Sequence, residues 1–154
     1  MRIGHICLAT ESDEVTAGFT SLVEALDRLA IEQHVLVASV SLARRLQSRP
    51  YVTVGPVVKT AVTACCLMPN VDLVHIHDAK GEQAALLLRL TRSIPFVMTV
   101  RDPGDTGLNT LSRAVRQRAA CLLQQPYDEV DEIIATYRQV VDKWSKLPQD
   151  ADCG

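Results

Sequence analysis

The sequence predicts an α/β protein of the doubly wound, Rossmann-like class: one three-layer α/β/α domain built on a parallel sheet. Three observations predict it. Short, nearly continuous apolar runs (Ile3 to Leu8, Val35 to Val37, Val71 to Ile76, Phe96 to Val100) are rich in branched residues, as strands covered on both faces require. Between them lie segments whose apolar residues recur at spacings of three and four, the period of a helix with one buried stripe. At 154 residues the chain has room for one domain, expected over residues 1–147, with a frayed tail at 148–154.

Ile3, Ile6 and Leu8 form the first strand, and Val35, Leu36, Val37 and Val40 the second. A helix from about Ala17 to Ile31 joins them, its stripe made by Phe19, Leu22, Val23, Leu26, Leu29 and Ala30. Ser41 is suited to cap a short helix through Leu46. Tyr51 to Val54 reads as a third strand ended by Gly55-Pro56, and Val57 to Met68 as a buried helix stopped by Pro69. Val71 to His77 is a strand, Ala79 to Thr91 a helix, Phe96 to Val100 a strand, Leu108 to Ala120 a helix and Cys121 to Gln124 a short strand. In the last helix Val130, Ile133, Ile134, Tyr137, Val140, Val141 and Trp144 share one face, with acidic residues at its start and lysines near its end. Such a face must dock on the sheet.

Composition excludes several classes. The chain is 47% hydrophobic and 22% charged, with a mean hydropathy of +0.10, the profile of a globular domain. Sixteen Lys and Arg against eighteen Asp and Glu give a net charge of −2, which offers no basic footprint for nucleic acid. Lys59, Arg89 and Arg92 interrupt the apolar stretches, so no transmembrane segment is expected. Cys7, Cys65, Cys66, Cys121 and Cys153 are odd in number and mostly in apolar surroundings, which reads as buried free thiols in a cytoplasmic protein. Arg44, Arg45 and Arg49, with Arg113, Arg116 and Arg118, suit either weak peripheral contact with anionic headgroups or a solvated helix face.

Ligands of open parallel sheets bind beyond the strand carboxyl ends, where the strand order reverses. With the order 3-2-1-4-5-6, that position gathers Thr10 and Glu11 after the first strand, His75, His77 and Asp78 after the fourth, and Arg101 and Asp102 after the fifth. Gly18 precedes or opens the first long helix, where free N–H groups favour phosphate. Yet Glu11, Asp13 and Glu14 oppose an anion in that loop, and no G-x-G-x-x-G is present. His75 and His77, two apart on a strand, share a face compatible with joint metal ligation. No third ligand is evident, so no metal is expected; packed and hydrogen-bonded histidines are the alternative. Arg101 and Asp102 suit either a turn ion pair or a guanidinium presented to a sugar or phosphate oxygen.

The segments Val71-Asp72-Leu73-Val74-His75-Ile76-His77-Asp78 and Ile94-Pro95-Phe96-Val97-Met98-Thr99-Val100-Arg101-Asp102 resemble the N-terminal domain of GT-B glycosyltransferases of family 4. There an Asp, apolar, apolar, His, apolar, His strand precedes an Ile-Pro strand ending in His-Asp. The first strand, Gly18 and the run into Gln33-His34-Val35 are similar to the start of that domain, and the likeness extends over residues 1–125. Arg101 stands where the family commonly has His, and Ala17-Gly18 where it usually has two glycines.

The resemblance implies the acceptor-binding half of a glycosyltransferase, or an inactive remnant of one, without the donor-binding domain that holds the nucleotide sugar. The final helix resembles the family's C-terminal crossing helix. On this reading the chain has no cofactor of its own, and a nucleotide sugar binds only with a partner domain. Its partners are a donor-domain subunit or a second copy in a homodimer. His77 would contact the acceptor, Arg101 would stabilise phosphate charge and the helix start at Gly18 would face the diphosphate; no base is assigned. A non-catalytic interaction or regulatory protein on the same fold is the alternative.

Overall fold

The computed structural model describes residues 1–9, 14–100, 110–124 and 129–147. Its elements follow as β1 (Arg2–Cys7), α1 (Glu14–Arg28), β2 (Glu32–Val37), α2 (Val40–Leu46), β3 (Val52–Val54), α3 (Ala61–Leu67), β4 (Leu73–Ile76), a 3-10 turn (Ala79–Gly81), α4 (Glu82–Arg92), β5 (Phe96–Val100), α5 (Thr110–Arg118), β6 (Cys121–Gln124) and α6 (Val130–Ser145). All six strands are parallel, in the order β3-β2-β1-β4-β5-β6. This is the doubly wound arrangement that the sequence predicts, with its order reversal between β1 and β4. The 148–154 tail and Cys153 lie outside the described residues.

Several expected boundaries shift, each for a local reason. Helix α1 starts at Glu14 and ends at Arg28. Ala30 turns left-handed, at φ 55°, and the Ile31 N–H closes back on the Leu26 carbonyl at 3.1 Å, a helix-ending loop. Leu29 and Ala30 therefore leave the buried stripe, and Leu29 is exposed. Ser39 rather than Ser41 caps α2, its hydroxyl accepting from Leu42 N–H at 3.2 Å. The expected Val57 to Met68 helix loses its first turn because Val58 N–H donates to the Val37 carbonyl at 2.9 Å. The helix starts only after Thr60 caps Thr63 N–H at 3.2 Å. Of the cysteines expected to be buried, Cys7 is; Cys65 and Cys121 are half-buried and Cys66 is exposed.

Alternation along the strands sends side chains to two faces. Ile6, Leu36, Val74, Ile76, Phe96 and Met98 pack under α3, α4 and Val115 of α5. On the other face Cys7, Val35 and Val37 meet α1 and α2, whereas Ile3, Leu73 and Val97 meet Leu22 and Leu26 of α1 and Ile133, Ile134, Tyr137 and Val140 of α6. Burying such side chains contributes roughly 1.5–3 kcal/mol each. Packing therefore holds α6 in place more than intrinsic propensity does. Beyond that face Trp144 donates from Nε1 to the Ser93 carbonyl at 2.6 Å and receives the Arg89 guanidinium 4.3 Å from its ring centre. The docking expected of this helix is what the structure has.

Candidate functional site

The carboxyl edge of the sheet between β1 and β4 is closed by Asp78. Its carboxylate accepts from Leu8 N–H at 2.5 Å, Lys80 N–H at 2.8 Å and Gly81 N–H at 3.1 Å. It thereby caps the 3-10 turn and ties that turn to the end of β1. Burial raises its pKa, and the backbone N–H donors pull against that rise. Asp78 was expected to meet a ligand; its oxygens instead serve the backbone, because β4 stops at Ile76 and the chain turns at once. The fit at Gly81 is tight: a Cβ would lie 3.0 Å from Ile76 Cγ2 and 3.3 Å from Ile6 Cγ2.

His75 and His77 do share a face, but neither reaches solvent: they are 0% and 1% exposed. The β1–β4 register sets His5 directly beside His75, and His5 is also fully buried. Its Nδ1 lies 3.0 Å from His77 Nε2, a hydrogen bond in which one ring donates and the other accepts. His75 is held from both sides, its Nδ1 2.6 Å from the Tyr137 hydroxyl of α6 and its Nε2 2.7 Å from the Thr99 hydroxyl of β5. The His75 and His77 rings lie 3.9 Å apart, and Phe19 of α1 covers His77 at 4.6 Å.

Burial pushes the His5 pKa down to about 3, with Gln33 raising it slightly as a hydrogen-bonding neighbour. Burial, then the neighbouring rings, lowers His75 and His77 well below the usual value. At neutral pH all three are uncharged, as a dry core demands. Their nitrogens lie within 4.8 Å of one another, the one such group of His, Cys, Asp or Glu that could hold a metal among the described residues.

The third histidine expected to be lacking is thus present. Alternation of His5 with Ile3 and Cys7 marks it as inward-facing, but strand adjacency and register, which no local pattern reveals, bring it to His75. Gly18, expected at the helix start, is the fifth residue of α1. There a helical N–H is taken by the carbonyl four residues back and is not free for an anion. Thr10, Glu11, Arg101 and Asp102 lie outside the described residues. At the opposite, amino end of the sheet are two shallow clefts lined by Arg2 and Glu32. These exposed residues pair with each other at 3.1 Å, a contact worth little.

Residues 14–148 match the glycosyl transferase 4-like domain family. A search of curated proteins returns no match. Among solved structures, phenylacrylic acid decarboxylase from Aquifex aeolicus aligns at 10% identity and a TM-score of 0.49, covering 97% of this chain and 98% of that one. A dodecameric FMN-dependent UbiX-like decarboxylase from Escherichia coli O157:H7 aligns at 13% identity and a TM-score of 0.46, covering 98% of this chain and 97% of that one. Likenesses this distant carry no inference about activity, cofactor or assembly. No helix among the described residues is long and apolar enough to cross a membrane.

Proposed function

Because the chain belongs to the glycosyl transferase 4-like domain family, we propose that it is the acceptor-binding lobe of a glycosyltransferase. It transfers sugar only together with a donor-binding lobe, wherever that lobe is encoded. The observation that carries this reading is the family match over residues 14–148, on a sheet whose order reverses between β1 and β4. His75, His77 and Asp78 are spent on internal hydrogen bonds, so we assign acceptor contact to Thr10, Glu11, Arg101 and Asp102, which follow β1 and β5 in the sequence. Arg101 is the group for phosphate charge.

The test incubates the purified chain, alone and with a donor-binding lobe of the family, with a panel of nucleotide sugars and candidate acceptors. The expected outcome is no transfer by the chain alone, and transfer by the pair that falls in Arg101→Ala. Transfer by the chain alone would overturn the assignment. A second reading, a non-catalytic interaction protein, is favoured by the same internal satisfaction of His75, His77 and Asp78. It predicts no transfer and no thermal shift with any nucleotide sugar, with or without the donor lobe.

A further inference from the structure

We propose that His5, His75 and His77 form a buried site for one divalent transition-metal ion of the zinc class. The inference is independent of the glycosyltransferase reading. Three imidazoles from two adjacent strands present nitrogens within 4.8 Å of one another. Imidazole is the ligand type that zinc, copper and nickel favour.

The spacing is close to what a metal needs. Two nitrogens bound at about 2.0–2.1 Å to a tetrahedral ion stand about 3.3 Å apart. His5 Nδ1 and His77 Nε2 are 3.0 Å apart across a shared proton. Replacing that proton by a metal ion opens the pair by a few tenths of an ångström, and the proton passes to the other nitrogen of the ring that held it, so both rings bind as neutral imidazoles.

The surroundings supply the outer contacts that hold metal-binding imidazoles in orientation. His75 lies between the Tyr137 and Thr99 hydroxyls, so whichever nitrogen turns to the metal leaves the other hydrogen-bonded. On His5 the outer nitrogen, Nε2, is buried without a geometrically sound partner, as is Gln33 Oε1, although Gln33 acts on His5 as a hydrogen-bonding neighbour. A small rotation of the His5 ring toward the metal is therefore not opposed by an established bond at Nε2.

The experiment unfolds the chain in guanidinium with a chelator, then refolds it with one equivalent of zinc or cobalt chloride, so that access to the core is not limiting. After gel filtration, metal content is measured and the cobalt form is examined for visible d–d bands. Expected are about one metal per chain, cobalt bands of a low-symmetry site, and retention of metal in His34→Gln, which alters the one histidine outside the cluster. Tyr137→Phe, which removes only the outer hydroxyl, should weaken binding by about 10–100-fold. His5→Gln and His77→Gln should each weaken it by more than about 100-fold while far-UV circular dichroism shows the fold retained. Metal content well below one per chain, or binding unchanged in both folded histidine variants, would overturn the proposal. If those variants fail to fold, Tyr137→Phe decides: unchanged affinity overturns the site, and weakened affinity supports it.

Discussion

Acidification should dissolve this fold well above the pH at which carboxylates titrate. The perturbation is a fall from pH 7 to pH 5 in the presence of a chelator. A histidine whose folded pKa lies below its unfolded value contributes stability that is complete above the unfolded pKa. That stability is lost as pH falls from there toward the folded pKa, because the unfolded chain takes up the proton first.

For His5 the window runs from 6.5 down to about 3. At roughly 1.36 kcal/mol per pH unit, the interval of about 1.5 units between 6.5 and pH 5 removes about 2 kcal/mol through this residue. His75 and His77 are lowered well below 6.5, mainly by the same burial, and act in the same direction as pH falls from that value. His34, also lowered by partial burial and by Arg2, adds to them. Asp78 works the opposite way, since a carboxyl raised by burial binds its proton more readily in the folded state. Against a total stability of about 5–15 kcal/mol, the histidine loss is a large share. Guanidinium unfolding followed by the fluorescence of Trp144, the single tryptophan, at half-unit steps from pH 7 to pH 5 measures it. The slope of stability against pH should correspond to about two or more protons per molecule between pH 6 and pH 5. A slope below about one proton would refute the reasoning that the three rings are neutral and dry.

Two further outcomes follow from the carboxyl edge. Asp78→Ala strips the acceptor from Leu8, Lys80 and Gly81 N–H and should cost about 2–3 kcal/mol, combining a lost cap with a buried unpaired donor; urea unfolding checks it, and a loss under about 0.5 kcal/mol would contradict the capping role. Gly81→Ala drives a methyl against two branched side chains and should cost about 1–3 kcal/mol by overpacking, with a matching fall in melting temperature.

Much of this architecture was legible in the residues. The parallel, helix-covered sheet follows from near-continuous apolar strands alternating with amphipathic helices, and the docking face of α6 from its spacing of three and four. What stayed hidden depends on neighbours distant in sequence. The shortened α3 reflects a bond from Val58 to the end of β2, and Leu29 falls outside α1 because Ala30 turns left-handed. The company His75 keeps depends on β1 lying beside β4 in a fixed register. A two-residue period tells which face His5 takes, but not which strand lies next to it. That His75 and His77 are packed and hydrogen-bonded was one of the readings the residues allowed, but not that Phe19 and Tyr137, from helices more than a hundred residues apart, cover them.

That last arrangement bears on how the chain acquires its shape during synthesis. Leu22 and Leu26 share their cluster with Ile133, Ile134, Tyr137 and Val140. A nascent polypeptide emerging from the ribosome through β6 has therefore made every strand but not the cover for the middle of its sheet. Until α6 clears the exit tunnel, His75 lacks its Tyr137 cover and the aliphatic groups of Ile3, Leu73 and Val97 lack theirs, and chaperones have their opportunity. The docking of α6, more than any earlier step, is what dries this side of the sheet.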